Sequence, residues 1–325
     1  MRDIFKNWRG FLCESLAIQG IESQRNFSRL VAECYVASDD QRDLEVLSRG
    51  YEAFIDSNYK LFGQILGGGK VKKIIFNYGN EDMTDEEIEK EGYPSRVEMG
   101  LVADKIKKVF PTAKGLKIEI GHGVEYEEFG YSSAESLADR IEQEGVIYVD
   151  TRFSNNENLD ILENTIFRTV HDYYTHVIRG RKMPETGLEP SYGFNLKGEL
   201  QAYNTHAKLV PQEALPALFC EVVAQVAHLD TFKDFPDPQK TTVLYGFDYI
   251  NIGKVRCSES GPPLASGIGT LRDNFPLIME EESLADYFTR VYSGDETRRD
   301  ICLSSLQEFC DESVQEPEEE EEMYF

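Results

Sequence analysis

Histidine binds metals and carries protons near neutral pH more readily than any other side chain, and in this chain the histidines are clustered. Four of the five, His171, His176, His206 and His228, lie in one continuous stretch. The fifth, His122, stands apart in a Gly-His-Gly segment. The clustering predicts a metal or catalytic site in this stretch.

The first two histidines have the spacing H-x4-H, within the segment HDYYTH. On a regular α-helix, which turns by about 100° per residue, His171 and His176 would point about 140° apart. Their imidazoles can converge on one ion only if the helix bends, or if it breaks at His171. The spacing is compatible with a metal site but requires a distorted helix.

Two later segments repeat a carboxylate and an imidazole along one helical face. In GELQAYNTH, Glu199, Tyr203 and His206 follow the spacing i, i+4, i+7. In CEVVAQVAH, Glu221 and His228 are seven residues apart in the same way. Facing helices that project such groups inward build the metal sites of helix bundles. Imidazole and carboxylate ligands suit Zn(II) or Fe(II), so we expect a divalent metal cofactor of this kind.

Six side chains make up the predicted site: the metal ligands His171, His176 and Glu221, and the catalytic residues Glu199, His206 and Tyr203. Glu199 is the second choice for the carboxylate ligand. His206 would be a third nitrogen ligand or a proton carrier close to the metal. Tyr203 would orient bound water or substrate, and the substrate itself is a small molecule or a protein.

The segment HDYYTHV resembles the metal motif H-D-x-x-G-H-V of the aromatic amino acid hydroxylases, with Thr175 at the position of the glycine. In that family a glutamate further along the chain completes a two-histidine, one-carboxylate triad. Glu221, in the apolar segment LFCEVVA, matches it here. The resemblance implies that His171, His176 and Glu221 hold iron and leave positions open for oxygen and substrate.

A longer pattern is similar to uncharacterised proteins of tailed bacteriophages. It consists of HDxxxH, then F-x-x-x-G-E-x-x-A-Y-x-x-H ending at His206, then Glu221, then GFDYINIG. This resemblance implies a viral origin and a location in the host cytoplasm. It implies a metal-binding appearance but no established reaction.

Other functions fit the same residues. An HD-type phosphohydrolase would use His171 and Asp172 with His122 and Asp230, and a zinc peptidase would need a general base such as Glu199. The alternative is a non-enzymatic viral structural or accessory protein with a buried polar network or a structural metal. An acidic protein that binds a basic partner through its surface or tail is the remaining class.

The elements that position these residues predict an α+β fold. The predicted segments are a helical N-terminal part (1–66), a mixed α/β region (67–155), a helical metal-site region (156–255), a C-terminal loop and helix (256–305) and a disordered acidic tail (306–325). Thr84 and Glu87 form a predicted capping box. In the segment 158–179, an apolar stripe follows helical spacing: Leu162, Ile166, Val170, Tyr173 and Val177.

Composition narrows the classes of function. The chain has 325 residues and a formal net charge of −25. This charge argues against a general nucleic-acid binder and against docking on anionic lipid, both of which need basic surface. We expect no membrane span and no secretory leader. The six cysteines form no CxxC motif, which predicts free thiols in a reducing compartment and, with the other features, a cytoplasmic protein.

Overall fold

The computed structural model describes residues 21–80, 83–111, 115–123, 134–151, 157–178, 196–244, 249 and 292–315. These residues are mainly helical and include a small parallel sheet, so the predicted α+β class is confirmed. They belong to two compact units, one formed by Arg49–Ala214 and the other by Met1–Ser48 together with Leu215–Phe325. The five sequence segments stay a prediction of domain organisation.

The elements follow one another along the chain in this order: α1 (Ile21–Ala37), α2 (Glu45–Gly67), β1 (Lys73–Asn80), α3 (Asp85–Lys90), α4 (Arg96–Val109), β2 (Lys117–Gly123), α5 (Ala134–Glu144), β3 (Val146–Asp150), α6 (Ile161–His171), a first π-helix π1 (Asp172–Ile178), α7 (Leu196–His206), a 3-10 turn (Gln212–Ala214), α8 (Leu215–Leu218), a second π-helix π2 (Phe219–Ala224), α9 (Gln225–Phe232) and α10 (Glu296–Gln315).

The sheet of the unit Arg49–Ala214 has the strand order β2-β1-β3, and all neighbours are parallel. Ile74 in the central strand pairs with Ile118 on one side and Ile147 on the other. Parallel neighbours need crossover connections, which here contain α3 and α4, and then α5. Ile74 and Phe76 have no exposed surface, so apolar residues of the central strand anchor the core.

The apolar stripe predicted for residues 158–179 lies in this core. All five of its residues are buried there beside the strands: Leu162, Ile166, Val170, Tyr173 and Val177. Burial of one such side chain contributes about 1.5–3 kcal/mol. The stretch that carries His171 and His176 is thus fixed along one whole face.

Local signals set where several helices begin. The predicted capping box of Thr84 and Glu87 is confirmed at the start of α3. At α6, the Asp160 side chain accepts from the backbone N–H of Glu163, whose own carboxylate accepts from the Asp160 N–H. Each such cap contributes about 1 kcal/mol. The cap at Asp160 defines the start of the helix that leads into the histidine pair.

Gly145 closes the turn between α5 and β3, and its backbone φ is +70°. A Cβ added there would lie 2.8 Å from the carbonyl oxygen of Lys70. We expect Gly145→Ala to lower the free energy of unfolding by about 2–4 kcal/mol, because the left-handed conformation and the backbone clash both oppose a side chain. Denaturant unfolding measures the change.

Gly92 provides the matched control for this substitution. Its φ is +71°, but a Cβ there would meet nothing within 4 Å. Gly92→Ala should therefore cost only the conformational part, about 1–2 kcal/mol. Equal losses in the two variants would contradict the proposed close approach at Gly145.

The other unit differs from the sequence expectation at its cysteines. Cys34 on α1 and Cys302 on α10 form a disulfide, which corrects the expectation of free thiols at these two positions. The two residues are 268 positions apart and meet because α10 packs on α1, a contact that cysteine spacing does not reveal. Cys220 is a free, buried thiol, as expected.

The C-terminal part is also more ordered than predicted. Helix α10 continues to Gln315, so residues 306–315 are helical rather than disordered. Packing on α1 supplies the reason: Glu308 lies 3.4 Å from Arg29 and Ser305 contacts Glu33. Residues 316–325 of the predicted tail lie outside the described residues. Among the described helices, none has the length and apolar content that crossing a membrane requires.

Candidate metal centre

The histidine pair converges because the helix changes type between its two members. Helix α6 ends at His171, and π1 begins at Asp172. A π-helix bonds residue i to residue i+5, so side chains five positions apart come onto one face. The Nε2 atoms of His171 and His176 lie 3.3 Å apart. The required distortion is thus present, as a π-helical stretch rather than a bend.

Glu199, on α7, brings a carboxylate to the same point. Its Oε2 lies 3.1 Å from His171 Nε2, and its Oε1 lies 3.5 Å from His176 Nε2. Ligand atoms held about 2.0–2.1 Å from one ion are separated by about 2.8–3.4 Å, the lower end for octahedral and the upper end for tetrahedral geometry. The three separations between these groups lie close to that range. Two imidazoles and a carboxylate therefore have the spacing that ligands of one ion require.

The site also includes a second carboxylate. Asp172, between the histidines in sequence, has a ligand atom within 4.8 Å of those of His171 and His176, so that this group could hold a metal ion. The HD-type interpretation of the sequence named this residue, whereas the predicted ligand set of His171, His176 and Glu221 did not. The sequence feature that could have indicated Asp172 as a ligand is its place inside the H-x4-H spacing, because π-helical winding keeps His171, Asp172 and His176 close together.

Burial and charge act together on this cluster. His171 and His176 are 7% and 1% exposed. Burial raises the pKa of Glu199, but hydrogen bonds from both imidazoles outweigh it, so the pKa lies well below its usual range. Burial likewise raises the pKa of Asp172, and there the upward direction persists despite the neighbouring imidazoles. Glu199 is thus the more firmly ionised carboxylate and the better ligand.

His206 lies at the end of α7 and has no exposed surface. Its ring stacks on Phe167 at 5.9 Å, faces Phe54 at 6.2 Å and lies 5.7 Å from the ring of His171, measured between centroids. Burial and the charge of His171 lower its pKa well below the usual value, so the ring is neutral. Tyr203, one turn earlier, is also fully buried. His206 thus lies close to the histidine pair, as its position in the sequence pattern predicted.

Glu221 belongs to the other compact unit, within π2. Its Oε2 accepts hydrogen bonds from the side-chain amides of Gln225 at 3.1 Å and Gln239 at 3.2 Å. In the same unit, His228 Nδ1 lies 2.7 Å from the carbonyl oxygen of Asp234. The role of Glu221 as a metal ligand stays a prediction.

His122 lies in β2, and its side chain is outside the described residues. Sequence reasoning missed the aromatic neighbours of the site, Phe54 and Phe167. It also missed the hydroxyl of Thr175, which donates to the His171 carbonyl at 2.6 Å. Aromatic and hydroxyl residues have too many structural uses for their positions alone to indicate such contacts.

No protein-family model, no curated protein and no solved structure matches this chain. The resemblances to the hydroxylase motif and to bacteriophage proteins therefore stay predictions. What is known of the site comes from the geometry of its own residues.

Metal binding at this site should depend on pH. Burial lowers the pKa of His176, but the hydrogen bond and the charge of Glu199 reverse this, and the net direction is upward. A metal ion must displace that proton. We expect affinity for Zn²⁺ to rise with pH across about pH 6 to 8, with proton release on binding.

Calorimetry in buffers of different ionisation enthalpy would count the released protons. The folding stability of the metal-free protein should change with pH in the opposite direction to metal affinity. The protonated His176 stabilises the fold below an imidazole's ordinary pKa of about 6.5, and this stabilisation is lost as pH rises through the raised pKa. A pH-independent affinity over this range would contradict the linkage.

Proposed function

We propose that this protein is a metal-dependent enzyme with a mononuclear divalent metal site held by His171, His176 and Glu199. The observation that carries the proposal is the convergence of two buried imidazole nitrogens, 3.3 Å apart, on one carboxylate at 3.1 and 3.5 Å. Three groups with ligand spacing, drawn from the end of α6, from π1 and from α7, meet the geometric requirement for a first-row ion.

The number of ligands supports catalysis. A centre with three protein ligands keeps a coordination position for water or substrate, as in hydrolytic zinc sites and in the facial triads of ferrous oxygenases. The metal would supply a polarising charge and an activated water or an oxygen-binding position. Asp172, ionisable and adjacent to both histidines, is placed to exchange a proton with that position.

A second candidate function is a structural metal site, and Asp172 is the observation that favours it. If Asp172 joined the two histidines and Glu199, four protein ligands would close the coordination sphere. Closed four-ligand sites stabilise folds rather than catalyse reactions. Asp172→Asn separates the two, because it removes a ligand only from the closed arrangement.

Elemental analysis of the purified protein tests the proposal, with a second preparation made anaerobically with ferrous iron. One iron per chain would direct assays to oxygen uptake, and one zinc to hydrolysis. Asp172→Asn should keep one metal per chain if the site is open, whereas metal lost from this variant indicates the structural site. No metal under any loading condition, in a folded protein, would overturn both candidates.

A further inference from the structure

His206 presents a buried polar group without a described partner. It is completely buried, and among the described residues neither its Nδ1 nor its Nε2 has a hydrogen-bond partner. Buried side-chain nitrogens are satisfied in the large majority of native sites, so an orphaned pair calls for a specific explanation. Phe54 and Phe167 face the ring and offer no strong acceptor.

His171 also has a buried ring nitrogen without a described partner, and this nitrogen can donate a hydrogen bond. Its Nε2 points to Glu199 and to the partner imidazole of the pair, whereas its Nδ1 is buried and, within the described part of the chain, unpaired. A metal-bound histidine almost always donates its second ring N–H to an acceptor, which fixes the tautomer and the ring orientation. The ring of His206 lies 5.7 Å from that of His171, tilted by 40°.

We propose that His206 is the positioning residue of the metal centre: one of its ring nitrogens accepts the Nδ1–H of His171 through one buried water. This hydrogen bond holds the His171 proton on Nδ1 and thereby keeps the Nε2 lone pair directed at the metal. The proposal rests on the proposed metal site and adds a role to it. His206 acts through His171 and is not itself a ligand.

The arrangement of the elements suits this role. His206 ends α7, the helix that also carries Glu199, so one helix would supply both a ligand and the group that orients another ligand. Phe167 stacks on His206 and thereby restrains the plane of the His206 ring. A polar pair enclosed by aromatic side chains lies in a low local dielectric, where a hydrogen bond is stronger than in water.

The test uses Co²⁺ as the probe, since its visible absorption reports both affinity and coordination geometry. We expect His206→Leu to weaken Co²⁺ binding by about 10–100-fold, as loss of an outer-shell partner typically does. The melting temperature of the metal-free variant should change little, because loss of this hydrogen bond is offset by removal of the other ring nitrogen, which has no described partner. The amide of His206→Asn reaches toward the Nδ1 position, and the amide of His206→Gln reaches toward the Nε2 position. We expect one of these two variants to restore Co²⁺ affinity, because one of the two ring nitrogens is the proposed acceptor.

Phe54→Leu is the matched control, since Phe54 packs on the same ring but carries no polar atom. It should lower the melting temperature and leave Co²⁺ affinity within a few-fold. A role in packing alone predicts the opposite for His206: affinity unchanged and stability reduced. Should His206→Leu fail to fold, the amide variants decide, and a tenfold or greater loss in both contradicts the proposal.

The outcomes also separate this inference from the proposed function. Wild-type protein that takes up no Co²⁺ would overturn the metal site and the inference together. Wild-type protein that binds Co²⁺, and loses it on removal of His176, supports the metal site. In that case, wild-type affinity in folded His206→Leu overturns only the positioning role.

Discussion

Replacing His176 by alanine should abolish stoichiometric metal binding, with a loss of affinity greater than about 100-fold, because the loss of outer-shell partners alone costs about 10–100-fold. His176 is 1% exposed and its Nε2 lies 3.5 Å from Glu199, so alanine leaves a buried gap where the imidazole nitrogen had stood beside that carboxylate. Metal content by elemental analysis and affinity by titration calorimetry measure the effect.

The variant His176→Gln shows whether metal binding is lost because the ligand is missing or because the protein no longer folds. Alanine removes a hydrogen-bond donor from Glu199, whose side chain is 14% exposed, and should also destabilise the metal-free protein. Glutamine keeps a polar group, so its metal-free stability should lie nearer to that of the wild type. His228→Gln, in the other compact unit, is the matched control and should bind metal normally. Wild-type affinity in folded His176→Gln would refute the site.

Glu199→Gln should weaken metal binding by at least about 100-fold, as it removes the only negative charge that contacts both imidazoles among the described residues. The variant keeps the size of the side chain, so the change acts on charge and on ligand strength. It should also remove the upward shift of the His176 pKa, and with it much of the proton release on metal binding.

Glu221→Gln gives the comparison that distinguishes the two carboxylates. The same isosteric change at Glu221 leaves its glutamine neighbours without a charged acceptor and should reduce stability, with little change in metal affinity. The hydroxylase resemblance predicts the reverse, since there the downstream glutamate is the ligand. Titration of both variants with Zn²⁺ would show which one loses the metal.

Much of the scaffold could be predicted from local pattern. The stripe from Leu162 to Val177 follows helical spacing and is buried as expected. The capping box at Thr84 follows from four residues of sequence. Such features depend on neighbours within one or two helical turns, so the information that specifies them is contained in a short segment.

The contacts that complete the site could not be predicted from local sequence pattern. Glu199 reaches His171 from 28 positions away, and the disulfide joins residues 268 positions apart. Regular α-helical geometry even argued against convergence of the histidine pair. The π-helical winding that reverses this conclusion is rare, and nothing in the residue types from Asp172 to Ile178 distinguishes it from an ordinary helix.

By itself, the sequence determined the α+β class, the buried stripe and the concentration of imidazoles that marks the site, because composition and short-range periodicity control these properties. Only the tertiary structure decided that His171 and His176 face one point, that Glu199 meets them and that His206 lies beside them. The reason is physical: a ligand set is defined to within fractions of an ångström by backbone winding and long-range packing, and residue spacing along the chain does not contain that information.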